Sequence, residues 1–144
     1  MARGYPDFFG QSVFLQYGPA KLALADTVAI ANDSKTVLTV TGKGVMYLGF
    51  LDVEGLGLVN DDLLQFYFDG NLFVNNTLAN FADQWWRGEA PANVRCEVAR
   101  PLSFYYALKL CGPLTYGTSI QIRYIETSGR TPDLFGRFWY ADLV

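Results

Sequence analysis

Histidine is absent from the 144 residues of this chain. That removes any Ser-His-Asp or Cys-His catalytic unit and any His-ligated metal centre. Charge is scarce: Asp, Glu, Lys and Arg make up 17% of the residues, against roughly 25% in ordinary soluble domains. What charge there is leans acidic, with a net charge of −3 and a sequence pI near 4.8. This argues against nucleic acid as a partner. No apolar run approaches the roughly 18–20 residues of a membrane span. The longest stretch, residues 45–53, is broken by Gly49 and Asp52. Residues 1–7 have no apolar h-region, so no secretory signal is expected. With only Cys96 and Cys111 and no secretory route, two buried thiols are expected rather than a disulfide. P-loop, G-x-G-x-x-G and G-x-S-x-G patterns are also missing.

What is present is apolar and aromatic. Hydrophobic residues make up 51% of the chain and aromatics 16%, the reverse of a disordered composition. The length suits one domain. Either its core is unusually rich, or part of its apolar surface faces another protein.

The surplus begins at the N-terminus. Residues 1–21 are interrupted by Gly4, Pro6, Gly10, Gly18 and Pro19, yet carry Tyr5, Phe8, Phe9, Phe14 and Tyr17. Gly and Pro forbid a periodic element, and five aromatics do not belong in water. The segment is expected to be an extended arm lying on something apolar: its own domain as an irregular first strand, or a neighbouring subunit.

Residues 22–144 read as strands. Period-two alternation runs through 22–30, 93–99 and 119–127, and β-branched or apolar stretches cover 36–41, 45–53, 63–68, 102–111 and 134–143. Asp69-Gly70 signals a two-residue hairpin turn. Gly49 is expected to mark a bulge, and Gly112-Pro113 a turn. A short helix is predicted over 77–84, with Thr77 as N-cap and Leu78, Phe81 and Ala82 facing inward. Trp85, Trp86 and Arg87 are expected in the loop after it. The expected fold is all-β: an antiparallel β-barrel or jelly-roll-like sandwich of about eight strands, with at most one short helix.

Candidate chemistry is thin. Glycosidase action needs two carboxylates at a set separation, but the acids fall mostly in turns, where Asp usually binds nearby backbone. Asn60, Asp61, Asp62 and Asp69 lack the spacing of a calcium loop, and neither cysteine has a His base. No enzyme activity, cofactor or metal is expected. Trp85 and Trp86 fit loosely with sugar stacking in a carbohydrate-binding module. Low charge, many aromatics and seven Arg to four Lys fit subunit contacts better, because interface cores lose charge and gain Tyr, Trp, Phe and Arg.

This layout, an aromatic Gly/Pro arm at 1–21 before a small acidic β domain at 22–144, resembles virion structural proteins of tailed bacteriophages, most of all capsid decoration (cement) proteins. The resemblance implies a homotrimer on the outer capsid surface, made in the host cytoplasm, that clamps neighbouring major capsid subunits. Tail and head-fibre components share the layout. On this reading Tyr5, Phe8, Phe9, Phe14 and Tyr17 anchor the arm on a neighbour, and Trp85, Trp86 and Arg87 are further contact candidates.

Overall fold

A computed structural model describes residues 17–55, 59–87, 94–100 and 105–144. Among the described residues, nine strands and one helix follow in chain order: β1 Lys21–Val28, β2 Ser34–Thr41, β3 Gly44–Glu54, β4 Leu63–Phe68, β5 Asn71–Thr77, α1 Leu78–Arg87, β6 Val94–Arg100, β7 Tyr105–Tyr116, β8 Ser119–Ile125 and β9 Asp133–Asp142. They form two antiparallel sheets, ordered β1-β9-β3-β7-β6 and β2-β8-β4-β5.

The pairing is nested about the β4–β5 turn. β4 pairs with β5, β3 with β7, β2 with β8 and β1 with β9, and successive pairs alternate between the sheets. This is a long hairpin rolled into the double-sheet jelly-roll pattern. The sandwich half of the sequence expectation therefore holds, and the closed barrel does not. β6 is the added ninth strand, reached through α1 and laid on the outer edge of β7.

Alternation builds the interior. Leu51 and Val53 of β3, Tyr106, Leu108 and Leu110 of β7, and Leu134 and Phe138 of β9 point inward from one sheet. Ile120, Ile122 and Tyr124 of β8 and Leu64 and Phe66 of β4 meet them from the other. The Asp69-Gly70 hairpin forms as its residues require, with both at positive φ, 53° and 79°, the geometry of the tight turns that match strand twist.

Three local readings need correction. Gly112-Pro113 is not a turn: β7 runs straight through it to Tyr116. The β3–β7 register shifts there, and proline is tolerated at such an irregularity because it has no ladder hydrogen to donate. A side chain at Gly112 would strike the Met46 and Tyr47 carbonyl oxygens. The β3 irregularity lies between Met46 and Leu48 rather than at Gly49; Gly49 makes room for the Phe138 ring, 2.7 Å from where a Cβ would stand. Finally, α1 does not stop at residue 84 but continues through Arg87, since no Gly or Pro interrupts it before Gly88. Its start is as expected: the Thr77 hydroxyl accepts the Asn80 N–H at 3.1 Å, and Leu78, Phe81 and Ala82 are buried.

Candidate functional site

The two sheets turn different outer faces to their surroundings. On the four-stranded sheet, strand register sets Thr36, Arg123, Gln65 and Asn75 in one row and Thr39, Gln121 and Tyr67 in the next. Several of these polar groups bond along the face. The Arg123 guanidinium donates to the Ser34 hydroxyl at 2.6 Å and lies 5.9 Å from the Tyr67 ring centre. Tyr67 donates to Gln65 at 3.2 Å, and Gln65 donates to Asn75 at 3.3 Å.

The five-stranded sheet differs. Its outward positions register as Leu22, Trp139, Leu48 and Cys111 across β1, β9, β3 and β7. The next rows are Leu24, Arg137, Phe50 and Lys109, then Asp26, Phe135, Asp52 and Ala107. Leu22 and Leu24 are 49% and 65% exposed. Phe50 and Trp139 meet edge to face, with centroids 6.0 Å apart and planes at 87°. Lys109 lies 5.8 Å from the Phe50 ring centre, and the Arg137 guanidinium 4.9 Å from that of Phe135. A cleft of about 280 Å³ opens between Phe50, Asp52, Phe135, Arg137 and Trp139. Asp52 is half-buried in its floor; desolvation pushes its carboxyl above the usual range, partly opposed by the Arg137 charge and a Tyr105 hydrogen bond. Aromatics and arginine are the residues that interface cores gain, and here they stand beside the charges of Asp26, Asp52 and Lys109.

A second, polar candidate lies where β4 and β8 meet their loops. Asp62 and Glu126 are both buried, beside a cavity of about 330 Å³ lined by Asn60, Asp61, Thr127, Ser128 and Arg130. Their oxygens are already engaged. Asp62 accepts from the Tyr124 hydroxyl at 2.5 Å and from the Thr127 N–H at 2.9 Å. Glu126 accepts N–H groups of Asn32, Ser128 and Gly129 at 2.7–2.8 Å. Burial pushes Glu126 up, but the donors of Asn32, Ser128 and Arg130 outweigh it and hold the carboxyl at about 2. Burial, the larger influence on Asp62, raises it. These carboxylates hold loops. Asp69 stands at the far end of β4, roughly 20 Å away across six residues, so the acids noted in sequence do not gather. Among the described residues no three His, Cys, Asp or Glu groups converge on a metal-sized site.

Of the residues singled out from sequence, Tyr17 forms an antiparallel bridge with Leu143, and the next N–H, of Gly18, donates to the Asp142 carbonyl at 2.9 Å. Tyr5, Phe8, Phe9 and Phe14 lie outside the described residues. Trp85, Trp86 and Arg87 occupy the last turn of α1, which packs on β6 and β5; their side chains also lie outside the described set. Cys96 and Cys111 are thiols, not a disulfide, but only Cys96 is buried; Cys111 is half-buried at an outward position of β7, against the expectation of two buried thiols. The outer face of β9 and β3 went unread in sequence. Its signal is there in β9, where Phe135, Arg137 and Trp139 alternate with Leu134 and Phe138, leaving the strand apolar on both sides. Such a strand is normally covered twice.

The fold and this face define an antiparallel β-sandwich of jelly-roll connectivity with one interface-like exterior. No protein-family model matches the chain, and no curated protein matches it.

Proposed function

We propose that the chain is a non-enzymatic structural protein of a tailed-bacteriophage virion, a capsid decoration protein that self-associates as a homotrimer. On the outer capsid surface it holds neighbouring major capsid subunits together, with its aromatic N-terminal arm as connector. The observation that carries the self-association is the outer face of the five-stranded sheet, which combines exposed Leu22 and Leu24 with Phe50, Phe135, Arg137 and Trp139. Jelly-roll sandwiches serve viral capsids and lectins alike; the aromatic arm and low charge favour the capsid. The capsid location itself rests on the layout of arm and domain, and a tail or head-fibre position is its nearest alternative.

Native mass spectrometry at micromolar concentration tests the assembly: a trimer is expected, and a monomer overturns it. Deleting residues 1–16 should leave cooperative unfolding in place while weakening assembly. Location is tested first at the gene, where a neighbouring major capsid gene is expected, and then by co-sedimentation with shells of that gene's product; no binding to the shells overturns the capsid location. A carbohydrate-binding role would instead give polysaccharide binding lost in Trp85→Ala or Trp86→Ala.

A further inference from the structure

We infer that the outer face of the five-stranded sheet receives the aromatic N-terminal segment of a second copy of this chain. The inference rests on the self-association proposed above and names the surface that accepts the arm.

Three observations carry it. First, the face sets Leu22, Leu24, Phe50, Phe135 and Trp139 among the charges of Asp26, Asp52, Lys109 and Arg137, and its cleft of about 280 Å³ is lined by Phe50, Phe135 and Trp139 with Asp52 and Arg137. A cavity of roughly 150 Å³ lined by apolar side chains already accepts a benzene ring, so one Phe or Tyr fits. Second, the segment preceding Tyr17 matches in chemistry: residues 1–16 hold Tyr5, Phe8, Phe9 and Phe14, with Arg3 and Asp7 as their charged side chains. Sixteen residues extend to roughly 50 Å, while β1, β9, β3 and β7 together span roughly 15 Å. The segment is long enough to cross the whole face.

Third, the starting point of the segment allows a neighbour. Followed backwards from Lys21, the β1 line passes Asp142 and Leu143 through the Gly18 hydrogen bond and the Tyr17 bridge. There it leaves the sheet at the end where β3 starts, at Gly44. The described chain therefore begins at the rim of the sandwich rather than over this face, and a segment of up to roughly 50 Å starting there is long enough to reach a neighbouring copy.

The test uses the full chain with p-benzoylphenylalanine in place of Phe9, mixing ¹⁵N-labelled and unlabelled protein before irradiation. Mixed-isotope crosslinks to the β3 peptide holding Phe50, or to the β9 peptide from Phe135 to Trp139, are expected. Crosslinks within one chain, crosslinks to the four-stranded sheet, or none at all overturn the inference. Native mass spectrometry on the same samples separates the two levels: an oligomer crosslinked elsewhere sinks this face and spares self-association, and a monomer sinks both. Trp139→Ser should weaken assembly roughly 30-fold, as loss of an interface anchor does. Leu24→Glu, at a position 65% exposed on the same face, should weaken it in the same direction with an unchanged melting temperature, which keeps the test valid if the Trp139 variant folds poorly.

Discussion

Among the described residues the two outer faces differ in kind: the four-stranded sheet carries a hydrogen-bonded polar network, with Leu72 and Phe73 exposed on its edge strand β5, and the five-stranded sheet carries leucines and aromatics set among charges. Arg123, Ser34, Tyr67, Gln65 and Asn75 form a chain of hydrogen bonds and a cation–ring contact across the four-stranded sheet. Across the five-stranded sheet, Lys109 and Arg137 cover parts of Phe50 and Phe135, but Leu22, Leu24 and Val28 stay about half exposed or more. Both sheets bury similar aliphatic and aromatic interiors. The difference lies outside, in how aromatic and aliphatic side chains are mixed with charge on each exterior, and exposed apolar area is what marks a contact surface.

The comparison can be broken at β9, where neighbouring residues face opposite ways. Phe138→Ala empties the core and should lower stability by about 3–5 kcal/mol in urea or thermal unfolding. If it costs less than about 1 kcal/mol, β9 is not an inner wall of the sandwich. Trp139→Ser, one residue on, should change stability little and assembly by about 2 kcal/mol. Tyr67→Ser on the other sheet should leave the oligomer mass unchanged; loss of the oligomer there would erase the distinction between the faces.

Smaller effects test the ends of the sandwich. Thr77→Ala removes the cap of α1 and should cost about 1 kcal/mol, read by urea unfolding. The smallest concerns Asp69, which accepts the N–H groups of Thr118, Gly117 and Ser119 at 2.7–3.1 Å. The Thr118 hydrogen bond first, then those of Gly117 and Ser119, hold its carboxyl at about 2, below its ordinary 3.8. A carboxyl depressed by folding adds stability that is complete above its unfolded value and is lost as the pH falls through its folded one. Asp69→Asn should therefore lower the melting temperature slightly at pH 7, and the gap to the native chain should close between about pH 4 and pH 2. A gap that persists unchanged at pH 2 would assign the effect to packing. Glu126 adds to the same acid dependence, and Asp62, raised by burial, opposes it.

Much of the body is legible in the order of its residues. Strand alternation marks Ile120, Ile122 and Tyr124 as inward, and all three are buried. Asp-Gly specifies the β4–β5 hairpin, and Thr77 the helix start, because turn and cap chemistry act within a few residues. The misreadings fall where distant chain intervenes. Gly112-Pro113 looks like a turn in isolation, but β3 holds β7 extended on both sides of it, and β6 on the side before it. Asp69 and Asp62 look like ordinary turn acids. Each instead binds a loop 48 to 65 residues away, a separation no local pattern records.

Composition and periodicity by themselves determined that this chain is an all-β domain, low in charge, with an aromatic segment ahead of it. Those properties follow from side-chain chemistry and the period of two. Only the tertiary structure decided that β1, β3, β7 and β9 lie side by side, bringing Leu22, Trp139, Phe50, Phe135 and Arg137 onto one exterior. Period two tells which residues share a face of one strand. Which strands share a sheet is settled by nested pairing over more than a hundred residues, from Lys21 to Tyr140, and that exterior exists only once the pairing is made.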